Sequence, residues 1–239
     1  MTRTVTRSNL HRSSLVRVLS DLGLVDTRAP SGAFAEQLGQ WVDIASAIGL
    51  RAAHQADPAA RPTSASVAPA LEQELARLRS ALEATISKPH LAGAARTRLD
   101  LPKPGASAEQ TLAFEPYRRY YQAHQREMDL KIPPLRSRLR EALAGTSPEL
   151  AQLAALDAAL DGILSTREGP LLASLPGLLE KRFKQLQQLG AADHEMKPTG
   201  WLAGFCKELQ GVLLAELDLR LQPCVGLLEA RLSTTTPSI

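Results

Sequence analysis

Aromatic residues are scarce in this chain: Phe, Trp and Tyr together make up 4% of its 239 residues. Apolar residues of all kinds nevertheless reach 44%, so a buried core has to be built mainly from Leu and Ala. Both residues are strong helix formers, and a chain of this length can form one large domain or two smaller ones. The sequence therefore predicts an all-α protein.

Cysteines and long apolar runs are also scarce. The only cysteines are Cys206 and Cys224, whose separation is far from a Cys-x-x-Cys spacing, so we expect two reduced, buried thiols and no disulfide. No uninterrupted apolar run approaches the ~18 residues that cross a bilayer, and the N-terminus lacks the apolar core and cleavage site of a signal peptide. We therefore expect a cytoplasmic protein without membrane insertion.

The familiar catalytic motifs are missing. The sequence contains no Gly-x-x-x-x-Gly-Lys phosphate loop, no Gly-x-Ser-x-Gly nucleophile elbow and no His-Glu-x-x-His zinc helix. His124 and Glu127 have a spacing that can place two ligands on one metal, but no second motif completes the coordination shell, so His124 is predicted to be structural. Asp157 and Asp161 are expected to face solvent. The sequence thus predicts no enzyme activity, no metal and no cofactor.

Four segments are predicted along the chain. Residues 1–56 form a helical hairpin, residues 57–69 a flexible linker, residues 70–232 the main helical bundle and residues 233–239 a disordered tail. The linker is rich in Pro, Ala and Ser, a composition that cannot bury enough apolar surface to fold alone. The predicted architecture is a multi-helix bundle with long kinked helices.

Prolines mark several predicted helix boundaries. Pro133–Pro134 cannot donate helical hydrogen bonds and restrict the preceding residue, so we expect a kink or break near Ile132. Ser147–Pro148 has the pattern of an N-cap followed by a first-turn proline, which predicts the start of a long helix. The last helix is predicted over residues 199–221, and Pro223 is expected to kink or end it.

Positive charge is concentrated between residues 96 and 140, where basic residues outnumber acidic ones, although the net charge of the whole chain is only +3. Such side chains can contact DNA phosphates, an acidic protein surface, or neighbouring carboxylates as exposed helix ion pairs. The sequence leaves these three alternatives open. The predicted residues for binding DNA or a protein partner, called the basic band below, are Arg118, Arg119, Arg126, Lys131, Arg136, Arg138 and Arg140.

Helical spacing separates the aromatic side chains of this region from the basic ones. We predict that the aromatic stripe belongs to the core and does not stack on bases, whereas the basic stripe is left for a partner. The aromatic stripe contains Phe114, Tyr117, Tyr121, His124 and Met128, and the basic stripe contains Arg119, Gln122 and Arg126.

Three regions of the sequence resemble a family of uncharacterised all-helical proteobacterial proteins, catalogued as a domain of unknown function. Near the start these are SLVRVL at residues 14–19 and FAEQLGQW at 34–41. The middle region is YRRYY at 117–121 with HQREM at 124–128. The last region is LLAELDLRLQP at 213–223 with GLLEA at 226–230. The resemblance spans most of the chain and brings no catalytic motif with it.

Members of that family resemble the accessory cytosolic component of type III Zorya antiphage systems. These systems pair a proton-driven inner-membrane motor and a peptidoglycan-binding stator with two soluble proteins. The resemblance implies a non-enzymatic, antiviral component that acts in complex with its sister soluble protein, is linked indirectly to the membrane motor, and binds double-stranded DNA through the basic helix. The alternative that it implies is an assembly adaptor that binds only protein.

Overall fold

The computed structural model describes residues 13–25, 44–55, 67–87, 113–192 and 198–235. Every regular element in these ranges is an α-helix, which confirms the predicted all-α class. None of the helices in these ranges has the length and apolar character that a membrane crossing requires. In chain order the helices are α1 (Ser14–Asp21), α2 (Ile44–Gln55), α3 (Val67–Ser87), α4 (Glu115–Ala144), α5 (Pro148–Ala173), α6 (Leu175–Ala192) and α7 (Pro198–Thr235).

Packing divides the chain into two units. The first unit comprises Met1–Arg28, Leu82–Met128 and Leu175–Arg220. The second unit comprises Ala29–Ala81, Asp129–Ser174 and Leu221–Ile239. The long helices α3, α4 and α7 therefore supply residues to both units.

The predicted segment boundaries remain predictions. Parts of all four predicted segments lie outside the described residues: residues 1–12, 26–43 and 56 of the hairpin, 57–66 of the linker, 88–112 and 193–197 of the bundle, and 236–239 of the tail. Helix α3 begins at Val67, within the range predicted as linker.

The core of the first unit collects most of the few aromatic side chains. Tyr117 and Tyr121 of α4 and Phe205 of α7 are fully buried, and Phe183 of α6 is almost fully buried. The rings of Phe183 and Phe205 lie 5.1 Å apart between centroids, and Tyr117 lies 5.4 Å from Phe205 in an edge-to-face arrangement, the geometry that aromatic pairs prefer. The prediction that the aromatic stripe is core is confirmed, since His124 and the other stripe residues are also buried.

The core of the second unit is aliphatic, as the Leu and Ala content predicts. Helix α2 packs against α5 in this unit. The buried side chains include Leu71 and Leu75 of α3, Leu135, Leu139 and Leu143 of α4, Leu150, Ala151 and Ala154 of α5, and Leu221 and Leu227 of α7.

A kink or a break was predicted near Ile132, and the structure shows that α4 does not break there. The helix continues through Pro133 and Pro134 as far as Ala144. Both prolines are exposed, whereas Ile132 and Leu135 are buried. Each proline removes one helical hydrogen bond, but because both lie on the solvent side, the apolar face of the helix packs without interruption.

The remaining proline and cysteine predictions have clear outcomes. Helix α7 does not end at Pro223 and continues to Thr235. Ser147 is the N-cap of α5, with its Oγ accepting a hydrogen bond from the Leu150 backbone N–H at 3.3 Å, which confirms that prediction. Both cysteines are free thiols, as predicted, but only Cys224 is buried, whereas Cys206 has intermediate exposure.

Candidate functional site

All residues of the basic band lie on α4, where they divide between the two packing units. The members in the first unit are Arg118, Arg119 and Arg126, and those in the second are Lys131, Arg136, Arg138 and Arg140.

Arg118 is surrounded by acidic and aromatic neighbours of its own unit. Its guanidinium contacts the Glu180 carboxylate on α6 and lies 5.4 Å from the centroid of the Phe114 ring, close enough for a cation–π interaction. The Lys184 ammonium binds the same Glu180 carboxylate at 2.8 Å. These cations lower the pKa of Glu180, with the Lys184 hydrogen bond as the main cause. The charge of Arg118 is therefore largely engaged within the chain.

Arg119 and Arg126 are the open members of the basic band in the first unit. The side chain of Arg119 is 71% exposed, and its Nε donates to Glu115 Oε1 at 3.0 Å. Such an exposed pair one helical turn apart stabilises a protein by only a few tenths of a kcal/mol. Arg126 is also exposed. These two residues face solvent on one side of α4, as the spacing of the basic stripe predicts.

Arg136 and Arg140 form a cluster with Asp157 and Asp161 that joins α4 to α5, and we call these four residues the Arg–Asp cluster. Arg136 donates to both oxygens of Asp157, with Nε–Oδ2 and Nη2–Oδ1 distances of 2.9 Å and 2.6 Å. Its Nη1 donates to Asp161 Oδ1 at 2.6 Å. Arg140 donates to the same two carboxylates, at 2.6 Å to Asp157 and 2.8 Å to Asp161. Each arginine thus bridges both aspartates.

The expectation that Asp157 faces solvent was wrong. Its side chain is only 16% exposed, as is that of Arg136, while Arg140 is 18% exposed and Asp161 is 38% exposed. Burial alone would raise the pKa of Asp157, but the hydrogen bonds from Arg136 and Arg140 outweigh burial and lower it. Burial alone would also lower the pKa of Arg140, yet its two aspartate partners raise it. Asp157 and Arg140 are therefore charged at neutral pH, and the hydrogen bonds of the cluster pair each arginine with both carboxylates.

Cys224 lies in the same unit as the Arg–Asp cluster and is influenced by its charges. Burial, opposed in part by the two arginines, raises the pKa of the Cys224 thiol to about 11. A thiol with such a pKa is almost entirely protonated at neutral pH, so it is a poor nucleophile.

The other members of the basic band in the second unit are more open. Arg138 contacts the Glu74 carboxylate on α3, and the two side chains are 47% and 43% exposed. Lys131 is exposed at the surface of α4. The structure therefore brings Arg136 and Arg140 together in one cluster, and it places Arg138 and Lys131 outside that cluster.

The first unit contains a buried polar network around Glu216 of α7, whose carboxylate is fully buried. The Tyr121 hydroxyl donates to it at 2.6 Å, the Gln125 amide at 3.1 Å and the Arg220 Nε at 2.8 Å. Burial and the adjacent carboxylate raise the pKa of Tyr121, so the phenol stays protonated and remains a donor. A buried carboxylate with this many donors is satisfied.

His124 is a further buried polar residue of the first unit. Its ring lies 4.5 Å from that of Tyr120, and burial lowers its pKa against the opposing effect of Glu127. Within the residues that the structure describes, the His124 Nδ1 and the Tyr117 hydroxyl are buried without a hydrogen-bond partner. No group of three or more His, Cys, Asp or Glu side chains in the described ranges is arranged to hold a metal ion.

Both charged networks, the Arg–Asp cluster and the network around Glu216, have a recognisable pattern in the sequence. Arg136 and Arg140 are one helical turn apart, and so are Asp157 and Asp161 on the next helix, a matched spacing that favours pairing between neighbouring helices. Glu216 lies in the middle of a Leu-rich helix and precedes Arg220 by one turn. A carboxylate within an apolar stretch indicates burial with compensating partners.

Comparison with known protein families gives the identity of the chain at family level. A family model described as a protein of unknown function (DUF3348) matches residues 1–233. The chain belongs to the DUF3348 family. This confirms the predicted membership of an uncharacterised family, and the description of DUF3348 assigns no activity. No curated protein and no solved structure matches the chain.

Proposed function

We propose that this DUF3348 protein is a non-enzymatic helical component of an antiphage defence system of the type III Zorya kind. Its role in that system is that of an assembly adaptor, which binds the sister soluble protein. The defence context comes from the resemblance of the three sequence regions described above. The choice of an adaptor is carried by one observation: Arg136 and Arg140 are nearly buried and each is held by both Asp157 and Asp161.

The energetics of the Arg–Asp cluster argue against DNA as its ligand. To reach a phosphate, Arg136 and Arg140 would have to leave charge-assisted hydrogen bonds, each of which contributes about 1.5–3 kcal/mol. Their departure would also leave Asp157 without compensation while an anion approaches. Arg118 is engaged in a similar way by Glu180. Most of the charge that made the basic band a candidate for phosphate contact is thus already neutralised within the chain.

DNA binding is the second candidate, and the exposure of Arg119 and Arg126 is the observation that favours it. Both are open to solvent on one side of α4, and seven residues of helix span about 10 Å. Two such arginines are too few for strong phosphate binding by themselves, because non-specific affinity grows with the number of contacts. They nevertheless define a surface whose charge can be reversed to test DNA binding.

The deciding experiment compares two ligands on the same purified chain. Binding to the purified sister protein and to a labelled random-sequence duplex is measured over a salt series, for the natural chain and for an Arg119→Glu, Arg126→Glu variant. We expect the sister protein to bind both forms, and the duplex to bind neither form above low salt. A duplex affinity that falls steeply with salt and is abolished by the charge reversal would replace the adaptor with the DNA-binding function.

A further inference from the structure

Helix α2 is held in the second unit with little burial of its own. None of its described side chains, at residues 46–55, is buried, and Ile48 is 64% exposed. Helices α3, α4, α5 and α7 each bury leucines in the same unit. Since helices in proteins are stable mainly because of the apolar face that they bury, the described part of α2 is a weakly held element of this unit.

The contact between α2 and α5 uses one narrow face of α2. The two helices pack against each other, and the half-buried residues of α2 in the described range are Ser46, Leu50 and Ala53. Steps of four and three residues place these positions on one side of a helix. Leu50 is the large apolar side chain on that side, so the docking of α2 depends mainly on Leu50.

The side of α5 beneath α2 is apolar. The Gln152 side-chain amide donates to the His54 backbone carbonyl of α2, so the Gln152 side of α5 faces α2. Leu156, Ala159 and Ile163 follow Gln152 at helical spacing and therefore lie on the same side, and all three are half-buried. We call Leu156, Ala159 and Ile163 the α5 face. It carries no charge, and α2 lies over it.

Helix α2 depends on α5 for its helical structure. It has 12 residues, and isolated helices shorter than about 12–15 residues are only marginally stable in water. Gly49 lies in its interior and lowers its helix propensity further. The His54 carbonyl is one of the last four of the helix, which have no partner within it, and Gln152 supplies a donor only in the docked form. Undocking therefore unfolds α2.

We propose that α2 is a detachable cover of the α5 face. It undocks from α5 and unfolds while the rest of the second unit stays folded, and the open form exposes Leu156, Ala159 and Ile163 to solvent. Segments with few buried apolar contacts open at a lower free energy than global unfolding requires, and α2 is such a segment. Access to the α5 face is thus controlled by a local equilibrium within the chain. This inference does not depend on the proposed adaptor function.

Hydrogen exchange of the full-length chain, followed by mass spectrometry at low urea concentrations, measures the opening directly. We expect the amides of residues 44–55 to be protected at least about a hundredfold less than those of residues 135–143 of α4, and their exchange to depend little on urea, because a local opening exposes little surface. Equal protection and equal urea dependence in the two segments would overturn the proposal, since α2 would then open only with the whole unit. Exchange of α2 as fast as in an unfolded chain would also overturn it, because no docked form would exist.

Two substitutions at adjacent positions should change the protection of α2 in opposite directions. Leu50→Ala should lower it about fivefold, because docking loses apolar burial while alanine keeps a high helix propensity. Gly49→Ala should raise it about fivefold, because alanine favours the helix and a Cβ there meets no atom within 4 Å. Ile48→Ala is the matched control for Leu50→Ala, since it truncates an exposed side chain of the same helix and should not lower the protection. A loss in Ile48→Ala as large as that in Leu50→Ala would overturn the docked geometry on which the proposal rests.

A core substitution separates local opening from global unfolding. Ile132→Val removes a methyl group from a buried side chain of α4, so it should lower the protection of residues 135–143 about fivefold. It should leave the protection of α2 unchanged, because the closed and open forms contain the same folded core. An equal loss of protection in α2 would mean that α2 exchanges only when the core unfolds, and the proposal would fail.

Chemical labelling tests whether the open form exposes the α5 face. Ala159→Cys places a thiol at the centre of that face, and its reaction with iodoacetamide is followed by mass spectrometry of the labelled peptide. Combining it with Leu50→Ala should raise the rate about fivefold, and combining it with Gly49→Ala should lower the rate about fivefold, because each changes the population of the open form. A rate that neither substitution changes would overturn the cover, because the face would then be accessible with α2 in place.

Discussion

Two tyrosines on the same helix differ in what their hydroxyl groups contact, and this difference predicts opposite effects of the same substitution. The Tyr121 hydroxyl donates to the buried Glu216 carboxylate at 2.6 Å. The Tyr117 hydroxyl is buried without a partner among the described residues. A hydrogen bond to a charged group contributes about 1.5–3 kcal/mol, whereas a buried hydroxyl without a partner only costs desolvation free energy.

We therefore predict that Tyr121→Phe lowers the free energy of unfolding by about 2 kcal/mol. Tyr117→Phe should leave it unchanged or raise it by up to about 1 kcal/mol. Urea denaturation followed by circular dichroism measures both. Tyr120→Phe is an intermediate reference, because its hydroxyl donates to the Ile86 backbone carbonyl at 3.0 Å. Equal destabilisation by Tyr117→Phe and Tyr121→Phe would show that the hydrogen bond to Glu216 is not the source of the effect.

A close contact between two residues of the first unit gives a second prediction at this scale. A Cβ added to Gly190 on α6 would lie 2.6 Å from Cδ1 of Trp201 on α7, and Trp201 is itself buried. The indole cannot move without disturbing its edge-to-face contact with Phe183. Gly190→Ala should therefore destabilise the protein by about 1–3 kcal/mol, the usual cost of overpacking.

The matched control for Gly190→Ala is Gly204→Ala on α7. A Cβ at Gly204 meets no atom within 4 Å, so alanine there gains helix propensity without a clash and should stabilise by about 0.5–1 kcal/mol. Thermal unfolding of both variants measures whether their stabilities change in opposite directions. If Gly190→Ala is as stable as Gly204→Ala, α6 and α7 do not approach as closely as the structure indicates.

At the scale of whole helices, the Arg–Asp cluster joins α4 to α5 and makes this junction sensitive to pH. The pKa of Asp157 in the folded protein lies below its ordinary value. Its contribution to stability is therefore fully present above the unfolded pKa of about 3.9 and is lost as pH falls through the lower folded pKa. Asp157→Asn should cost about 2–4 kcal/mol at pH 7, because it leaves two nearly buried guanidinium groups with one anionic partner.

The pH dependence provides the sharper part of this prediction. The difference in unfolding free energy between the natural chain and Asp157→Asn should shrink as pH falls below about 4, because the carboxylate becomes protonated first in the unfolded chain and, at lower pH, in the folded chain as well. Urea denaturation at pH 7 and at decreasing pH measures the difference. Glu168→Gln on α5 is a suitable control, since Glu168 is exposed and its loss should change stability by less than about 0.5 kcal/mol. A difference for Asp157→Asn that does not vary with pH would contradict the role of its charge.

At the scale of the whole molecule, each packing unit contains one cysteine, and the two thiols report on the opening of the units. Cys206 belongs to the first unit and Cys224 to the second, and burial raises the pKa of each thiol to about 11. At pH 8 such a thiol is ionised about two orders of magnitude less than an ordinary cysteine with a pKa of about 8.5. Since the thiolate is the reactive form, both cysteines should react slowly in the native protein.

We predict that both thiols react with iodoacetamide at pH 8 at least about a hundredfold more slowly in the native chain than in urea-unfolded chain. Mass spectrometry of labelled peptides resolves the two sites. Cys206→Ala and Cys224→Ala serve as controls for the assignment of each rate. Rapid native labelling of Cys224, which is buried, would mean that the second unit opens, whereas rapid labelling of Cys206, which has intermediate exposure, would mean that its thiol ionises more readily than its desolvation indicates.

Most of the fold follows from local sequence patterns, whereas the site depends on contacts between helices. The helix class, the Ser147 cap and the burial of Tyr117 and Tyr121 depend on composition and on spacing within one helix, which a sequence displays directly. The pairing of Arg136 with Asp157 depends on which faces two helices present to each other, and spacing within α4 alone does not contain that information.

The prolines of α4 also show that rules local to one helix do not predict the effect of packing. The local rule for Pro133 predicts a kink or a break, because a proline removes a backbone donor. Continuous burial of Ile132 and Leu135 on the opposite side outweighs that local cost. Which face of α4 is buried depends on the helices packed against it, so the spacing of residues around Pro133 does not predict that the helix continues.

The Arg–Asp cluster also has a consequence for the axial register of α4 and α5. The buried face of α5 is made of Leu and Ala, including Leu150, Ala151 and Ala154, and such uniform surfaces pack almost equally well after a slip of one helical turn, about 5.4 Å. Two arginines and two aspartates, each pair spaced by one turn, complete all their pairings in only one alignment. After a slip, one arginine and one aspartate would lose their partners, at a cost of several kcal/mol. The four charges therefore select a single alignment of two helices whose apolar surfaces alone would permit several.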